Sequence, residues 1–451
     1  MPITINQFPT TPNMANNTLL FSVSSNSSSA AQFQYICALS LSGSATTLQT
    51  IKQQPNPFSY GVFDVGQIIS NYVDSDNNWK AAPFSTASQA GKRFQVKFGE
   101  EYATSISGTA IQYTGVGAVT GSPAVTASAY TYILNGLVEP NDKVNWNFPS
   151  ASYFVANATP SSASFSFQHA LTNAPTTQSI QDGEYATISL INGNFTNSTS
   201  SAQDIFVVRV LVYDSASVEI DDFSLTNITG NGGGPRANAN QLFSAVATSQ
   251  TAGTQLLTIG VGPLNLAANG DTLPSDWSYY TVQAHNQKSA NVTNTSGSYA
   301  TLRYEKQGPQ CGYDGVRFAW KNEFGVWDYY TFTLQTNAQT NIERQQYTQT
   351  FVDYSTPDSS VVYNKERRGI KPFYNKLTSN KTANSNWLDQ GEADWLRELF
   401  YSTNVFIQEG TTFFPIAITT ANLVEKTNPR TQKNFQYVIE FQLGNQPTPR
   451  I

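Results

Sequence analysis

The sequence has little charge. Only 12% of its 451 residues are Asp, Glu, Lys or Arg, which is about half the usual share in a globular protein. Ser, Thr, Asn and Gln take their places, so we expect a surface that is polar through hydroxyl and amide groups. Such a surface is typical of extracellular β-proteins and unusual among cytosolic metabolic enzymes.

Cysteine and histidine are also scarce. The two cysteines, Cys37 and Cys311, are far apart and form no CxxC motif, which excludes a disulfide scaffold and a structural zinc site. We expect two separately buried thiols, with one long-range disulfide as the alternative. The two histidines, His169 and His285, lack a nearby Gly-x-Ser-x-Gly motif, so we interpret them as surface or hydrogen-bonded side chains rather than catalytic bases.

Long apolar runs and basic clusters are missing as well. No stretch approaches the roughly 18 apolar residues of a membrane helix, and residues 1–6 show no signal-peptide pattern, so we expect neither membrane insertion nor export. The net charge is −6, whereas binding to nucleic acid requires clustered Lys and Arg. We interpret the one basic cluster as a solvated face or a subunit contact, and we expect no nucleic-acid partner: Lys365, Arg367, Arg368 and Lys371.

Strand-like patterns are abundant. Residues 94–98 alternate apolar and polar side chains, residues 205–213 form a β-branched and aromatic run, and residues 435–441 mix both patterns. Clusters of Gly, Asn, Ser and Pro separate these runs, as in short antiparallel strands. The predicted fold class is therefore all-β dominated, with antiparallel sandwiches, a jelly roll and a small α+β C-terminal module.

One helix is predicted near the C-terminus, from about 389 to 401. Asp389 can cap its start, and Glu392 has the spacing of a capping box. Its apolar residues share one face, as expected for a helix laid across a sheet: Trp395, Leu396, Leu399 and Phe400. A shorter helical turn is predicted over residues 65–72.

Chain length and glycine distribution predict several domains, because single cores rarely grow beyond about 250–300 residues. The strongest linker signal is the glycine-rich segment 230–235, which imposes few backbone limits. A second boundary is predicted near Pro140. The predicted modules are an N-terminal β domain (1–138), a jelly-roll-like module (139–230), a β-sandwich (236–350) and an α+β module (351–451).

Carboxylate pairs are the remaining candidates for catalysis. Three pairs lie close in sequence: Glu100–Glu101, Asp221–Asp222 and Glu392–Asp394. Neighbours on a strand point to opposite faces, and a two-residue step separates side chains around a helix, so no pair is predicted to flank one glycosidic bond. A calcium site needs about six oxygen ligands, and the Asp pair offers only two residues. We therefore predict no catalytic residues, metal or cofactor, although carboxylates distant in sequence could still meet.

Aromatic residues are concentrated between positions 320 and 332. The cluster favours a core or a subunit interface, with sugar stacking as the alternative: Trp320, Phe324, Trp327, Tyr329, Tyr330 and Phe332.

Several segments, taken in order, resemble tail and virion structural proteins of bacteriophages that infect Bacteroidota or aquatic bacteria. They are 63–73, 94–102, 133–136, 318–332, 395–400, 404–407 and 414–418. The resemblance implies a structural component of the virion tail or baseplate that assembles symmetrically with itself and with other virion proteins. It carries no catalytic motif. The alternative is a secreted glycan-active enzyme or adhesin.

The middle region resembles a jelly-roll carbohydrate-binding module. Residues 183–190, 205–213 and 218–225 are similar to the late strands of that family, including the Ile-Asp-Asp-Phe sequence at 220–223. The resemblance implies a host-surface glycan as a partner, with a structural spacer as the alternative. Residues available for a shallow sugar site are Tyr153, Phe154, Asn192 and Asn194.

Overall fold

The computed structural model describes residues 3–41, 46–103, 111–114, 126–127, 131–136, 170–192, 207–226, 255–285, 298–308, 315–349, 352–355, 360–363, 369–420 and 436–444. Strands dominate these residues, and the all-β fold class is confirmed. The chain divides into two compact units. Unit 1 comprises Met1–Gln307 and Lys321–Tyr329, and unit 2 comprises Gly308–Trp320 and Tyr330–Ile451.

The first part of unit 1 is a β-sandwich. Its elements are β1 (Thr4–Gln7), β2 (Asn13–Met14), β3 (Leu20–Ser24), β4 (Gln34–Leu41), β5 (Thr47–Gln53), β6 (Tyr60–Asp64), α1 (Gly66–Ser70), β7 (Phe84–Thr86), β8 (Gly91–Ala103), β9 (Ile111–Thr114), β10 (Thr126–Ala127) and β11 (Thr131–Leu134). One sheet has the order β1-β3-β6. The other has the order β2-β11-β8-β4-β5, and β9 and β10 also pair with β8. The helical turn predicted over 65–72 is confirmed as α1.

Aromatic side chains join these two sheets. The ring of Phe98 on β8 lies 5.6 Å from that of Phe21 on β3 and 5.8 Å from that of Phe63 on β6. All three are buried, because alternate residues of each strand point inward. The period-two pattern at 94–98 therefore marks a core strand, as predicted.

The second part of unit 1 is another pair of sheets. Its elements are β12 (Thr177–Ile180), β13 (Thr187–Asn192), β14 (Val207–Tyr213), β15 (Glu219–Thr226), β16 (Gln255–Gly260), α2 (Pro263–Asn269), β17 (Tyr279–His285) and β18 (Ser298–Lys306). The sheet orders are β12-β18-β17-β14-β15 and β13-β16-β7. Both sheets contribute to one buried core, with Val210 and Tyr280 from the first and Leu190 and Ile259 from the second.

Strand pairing runs across the predicted boundaries of the middle module. β14 pairs along its whole length with β17, and β13 pairs with β16, so strands from both sides of the predicted linker share the same sheets. The linker itself, 230–235, lies outside the described residues. β7 also pairs with β16, which ties the region before 138 to the same sheet. A glycine-rich segment shows where a chain can turn, but strand pairing across it depends on contacts distant in sequence.

A buried asparagine strengthens this connection within unit 1. The side-chain amide of Asn265, on α2, donates to the backbone carbonyls of Trp79 and Ala81 at 2.8 and 3.0 Å. Its Oδ1 accepts from the backbone N–H of Ala186 at 3.0 Å. One side chain thus satisfies polar backbone groups of two separate segments, which would otherwise be costly to bury.

Unit 2 is built on one large sheet. The elements of this part of the chain are β19 (Val316–Lys321), β20 (Trp327–Phe332), β21 (Thr336–Thr348), β22 (Val352–Ser355), β23 (Ser360–Tyr363), β24 (Ile370–Asn384), α3 (Gln390–Tyr401), β25 (Val405–Glu409), β26 (Thr412–Ile418) and β27 (Val438–Leu443). The sheet order is β20-β19-β25-β26-β27-β24-β21, and β22 pairs with β23. Because β19 pairs with β25, the boundary predicted at 350 also separates strands of one sheet.

The predicted helix is confirmed as α3, which packs on the sheet by its apolar face. Its Trp395 ring lies 5.1 Å from that of Trp320 on β19 and 6.0 Å from that of Tyr330 on β20. Leu396 and Leu399 are fully buried. The amphipathic spacing in the sequence therefore identifies the docking face correctly.

The capping box of α3 provides the first testable prediction. Asp389 accepts a hydrogen bond from the backbone N–H of Glu392 at 2.8 Å, and the Glu392 carboxylate accepts one from the backbone N–H of Asp389 at 3.1 Å. We expect Asp389→Ala to lower the free energy of unfolding by about 1 kcal/mol, measured by urea denaturation. Asp394→Ala, further along the exposed face, is the control. Equal losses from both variants would contradict the capping role.

Candidate interaction surface

The structure gives each candidate carboxylate its own local partner. Glu100 is buried and accepts a short hydrogen bond from Ser25, whereas Glu101 forms an ion pair with Lys52. These interactions stabilise β8 and its neighbours. They do not bring the two carboxylates to one site.

The other two pairs are likewise held by nearby groups. Asp222 forms an ion pair with Arg209 at 3.2 Å, and Asp221 accepts a hydrogen bond from the Asp222 backbone N–H at 2.9 Å. Glu392 belongs to the capping box of α3, where burial raises its pKa. Among the residues that the structure describes, no three His, Cys, Asp or Glu side chains are grouped as metal ligands.

Titratable groups with shifted pKa values lie on different elements. Burial raises the pKa of the Cys37 thiol on β4 to about 12 and lowers the pKa of the Lys321 amine at the end of β19 to about 8. Burial is also the largest cause of the raised pKa of Tyr330. These shifts follow from desolvation in packed sheets, which disfavours the charged form of each group.

Several residues singled out in the sequence lie outside the described part of the chain. They are Cys311, His169, Tyr153, Phe154, Asn194, Lys365, Arg367 and Arg368. His285 and Asn192 end β17 and β13, and only their backbone is described. Lys371 lies on β24 and is exposed. No helix within the described ranges is long and apolar enough to cross a bilayer.

The aromatic cluster at 320–332 forms core. Trp320 and Phe332 are fully buried in unit 2, and Phe324, Trp327 and Tyr329 are buried in unit 1. The Trp327 indole N–H donates to the backbone carbonyl of Asp76 at 2.6 Å. The core interpretation is therefore confirmed for these five side chains, which offer no exposed ring for a sugar.

Among the described residues of unit 2, several exposed apolar side chains are grouped on a hairpin formed by β21 and β24. In the described part of the chain, β27 pairs with β24 from Asn380 to Asn384, whereas β21 and β24 remain paired as far as Thr348 and Ile370. We call residues 340–348 and 370–379 the arm. At about 3.3 Å per residue, the arm extends about 30 Å beyond the strand β27.

Apolar side chains on the arm face solvent. Nearly every residue of β21 is exposed, on both faces of the strand. The exposed apolar residues of the arm and their relative accessibilities are Ile342 (48%), Tyr347 (45%), Ile370 (61%), Phe373 (54%) and Tyr374 (41%). A two-stranded hairpin is marginally stable in water without packing, and grouped exposed apolar residues mark contact sites. The arm therefore has the character of a surface that another chain covers.

The two strands of the arm differ in how their edges are protected. Within the arm, β24 contains Lys371, Pro372 and Lys376. Lysine and proline at a strand edge disfavour pairing with a further strand. β21 contains neither proline nor lysine, and it is the last strand of the sheet order. Within the part of the chain that the structure describes, its outer edge therefore presents backbone N–H and C=O groups that can accept another strand.

The arm has no strand signal in the sequence. β21 reads Thr-Asn-Ala-Gln-Thr-Asn-Ile-Glu-Arg-Gln-Gln-Tyr-Thr, and such a polar run has no hydrophobic period that would predict a strand. The sequence feature that could have indicated the arm is its composition. Two long segments, both poor in glycine, flank the short β22–β23 hairpin and contain isolated aromatic residues.

Comparisons with known proteins leave the family open. No family model and no curated protein matches the sequence. Over 86% of its length the chain aligns with trypsin-activated α2-macroglobulin from Escherichia coli, at 8% identity and a TM-score of 0.18, and it spans only 23% of that chain. It also aligns over 86% of its length with the Bacillus anthracis TIE protein, covering 70% of that protein at 7% identity and a TM-score of 0.12. Neither alignment carries an argument about fold or function.

Proposed function

We propose that the chain is a bacteriophage virion structural protein, a component of the tail or baseplate that acts by symmetric assembly. The observation that carries the proposal is the arm, a long hairpin with exposed Ile342, Tyr347 and Phe373. Its partners are other copies of the chain and other virion proteins. The weakly charged composition and the ordered sequence resemblance support the same assignment.

The energetic argument favours assembly over a solitary arm. Ordering each residue costs roughly 1–2 kcal/mol of backbone entropy, and a lone pair of strands recovers little of that cost by burial. A contact that covers the exposed apolar side chains gains about 25 cal/mol per Å² removed from water. A contact on the arm would order the hairpin and join two subunits in one step.

The host-surface glycan contact remains a prediction from the sequence. The sugar-site candidates Tyr153, Phe154 and Asn194 lie outside the described residues, and the described strands of 139–230 share sheets with β16, β17 and β18. The full chain on a glycan array distinguishes a sugar-binding surface from a spacer. Hydrolysis of the arrayed glycans would instead favour a secreted glycan-active enzyme.

The proposed function is tested with purified particles. We expect mass spectrometry of gradient-purified virions to detect this chain in several copies per particle, at a constant ratio to the major capsid protein. Detection only in the host lysate, with none in particles, would refute the virion role.

Arm variants test whether the exposed apolar surface mediates incorporation. The double variant Tyr347→Ser/Phe373→Ser removes two aromatic rings of the arm whose centroids lie 6.1 Å apart. Because both rings are exposed, the fold is expected to persist. Incorporation into particles should fall at least about tenfold, measured by quantitative mass spectrometry of complemented virions. Phe58→Ser, which removes a highly exposed ring from unit 1, is the matched control and should incorporate normally.

A further inference from the structure

We propose that β21 pairs with β21 of a second copy of this chain, antiparallel and centred on Ile342. The inference deepens the proposed assembly function by naming the partner of the arm, and it rests on that function only for its biological setting. It follows from the outer edge of β21, which pairs with no strand among the described residues, from the length of the strand and from the distribution of its charges.

Geometry restricts the self-pairing to a few registers. Two identical antiparallel strands in one sheet are related by a two-fold axis perpendicular to the sheet. Odd-numbered residues therefore face odd-numbered residues, even-numbered residues face even-numbered ones, and one residue at the axis faces the same residue of the other copy. β21 has 13 residues, Thr336 to Thr348, and its midpoint is Ile342. The register centred on Ile342 is therefore the one that pairs the whole strand.

Charge and polarity favour the same register. It places Ile342 against Ile342 of the second copy, which covers an exposed apolar side chain at the axis. The remaining pairs from the centre outward are Asn341–Glu343, Thr340–Arg344, Gln339–Gln345, Ala338–Gln346, Asn337–Tyr347 and Thr336–Thr348. No like charges face each other, and two of the pairs, Gln339–Gln345 and Asn341–Glu343, place an amide opposite an amide or a carboxylate that can bond it.

Neighbouring registers are worse. A register centred on Glu343 places two carboxylates opposite each other, and a register centred on Arg344 places two guanidinium groups opposite each other. Like charges in directly opposed pairs are destabilising. Centring on Asn341 avoids like charges but leaves the end of the strand unpaired and faces Ile342 with Thr340. The register centred on Ile342 combines full overlap with an apolar centre.

The side chains of β21 are already arranged for such a contact. On the face that holds the odd-numbered residues, the side-chain amide Nε2 of Gln339 donates to Oδ1 of Asn341 at 3.2 Å. The carboxylate Oε2 of Glu343 lies 3.8 Å from the Nζ of Lys376 on β24. Cross-strand partners of the second copy extend this polar row. The hairpin of each copy thereby becomes half of a continuous four-stranded sheet without change in its own register.

Cysteine cross-linking tests the register. Directly opposed residues in antiparallel strands have Cα atoms about 4.5–5.5 Å apart, a distance that a disulfide spans. We expect Ile342→Cys to form a disulfide-linked dimer under mild oxidation. In the control Gln346→Cys, on the same face, the two thiols would be separated by eight positions, about 27 Å, and should cross-link at least about tenfold more slowly. The unmodified chain controls for Cys37 and Cys311.

A charge exchange at the axis tests the contact independently. Ile342→Lys and Ile342→Glu each place like charges at the two-fold axis, so each should weaken self-association at least about tenfold by sedimentation velocity. An equimolar mixture of the two variants should restore a mixed dimer, observed by native mass spectrometry. Gln339→Lys, which would face Gln345 of the second copy, adds the same charge and should change association by less than about twofold.

Three results would overturn the self-pairing: no association of the unmodified chain, equal cross-linking of the two cysteine variants, or no mixed dimer from the charge-exchanged pair. Association that survives Ile342→Lys but is lost in Tyr347→Ser/Phe373→Ser would place the contact on the face of the arm instead. If Ile342→Cys forms the cross-linked dimer but the chain is absent from virions, the self-pairing is supported and the virion role is rejected. The two proposals can therefore fail independently.

Discussion

Replacing Leu399 by alanine is expected to lower the free energy of unfolding by about 2–5 kcal/mol. Leu399 has 0% of its surface exposed and lies on the face of α3 that holds Trp395 against Trp320. Truncation removes buried methyl groups and leaves a cavity that the surrounding rings cannot fill without shifting. Urea denaturation monitored by tryptophan fluorescence measures the loss, because Trp320 and Trp395 report on this contact.

Trp387→Ala is the matched control for that measurement. Trp387 precedes the same helix and is 61% exposed, so deleting its larger side chain should cost less than about 1 kcal/mol. If Leu399→Ala proved as mild as Trp387→Ala, the docking of α3 on the sheet would be wrong.

Replacing Gly325 by alanine is expected to lower the free energy of unfolding by about 2–5 kcal/mol. Gly325 has a φ of +80°, which costs other residues roughly 1–2 kcal/mol. A Cβ at this position would also lie 2.1 Å from the backbone carbonyl oxygen of Asn135. Because that oxygen belongs to the backbone, the clash cannot be relieved by turning a side chain.

Gly270→Ala separates the two contributions. Gly270 has a φ of +97°, but a Cβ added there meets nothing within 4 Å, so only the conformational cost of about 1–2 kcal/mol is expected. Thermal denaturation of both variants gives the comparison. Equal shifts in melting temperature would show that the turn at Gly325 does not approach Asn135 as closely as described.

The turn around Gly325 also explains why unit 1 includes residues 321–329. Asn322 accepts hydrogen bonds from the backbone N–H groups of Phe324 and Val326 at 3.0 and 3.2 Å, and its side-chain amide donates to the Leu171 carbonyl at 2.8 Å. One buried asparagine thus shapes the turn and attaches it to a segment about 150 residues earlier in the chain. The gap in sequence makes this contact invisible to any local pattern.

Most side chains of β21 carry amide or hydroxyl groups, which suit both the separate chain and the proposed paired strand. Amide and hydroxyl side chains keep an unpaired strand soluble without the lysines that would prevent pairing. They can also bond the side chains that face them in a second copy once the strands meet.

Local features of this protein were determined by the sequence itself. The period-two run at 94–98 became part of β8, and the run at 205–213 became β14, because strand alternation is a property of consecutive residues. The capping box at Asp389 and Glu392 and the apolar face of α3 also follow from spacing alone. For the aromatic cluster at 320–332 the sequence favours a core or a subunit interface, and five of its six rings are buried.

Only the tertiary structure decided which strands belong together. The segment 230–235 reads as a linker, yet β14 and β17 on its two sides are adjacent strands of one sheet. The polar strand β21 has no pattern of its own and is held by its long register with β24. Strand pairing depends on backbone hydrogen bonds between residues far apart in sequence, and backbone groups are nearly the same in every residue. Side-chain patterns therefore reveal strands, whereas the partners of a strand are determined by how the whole chain packs.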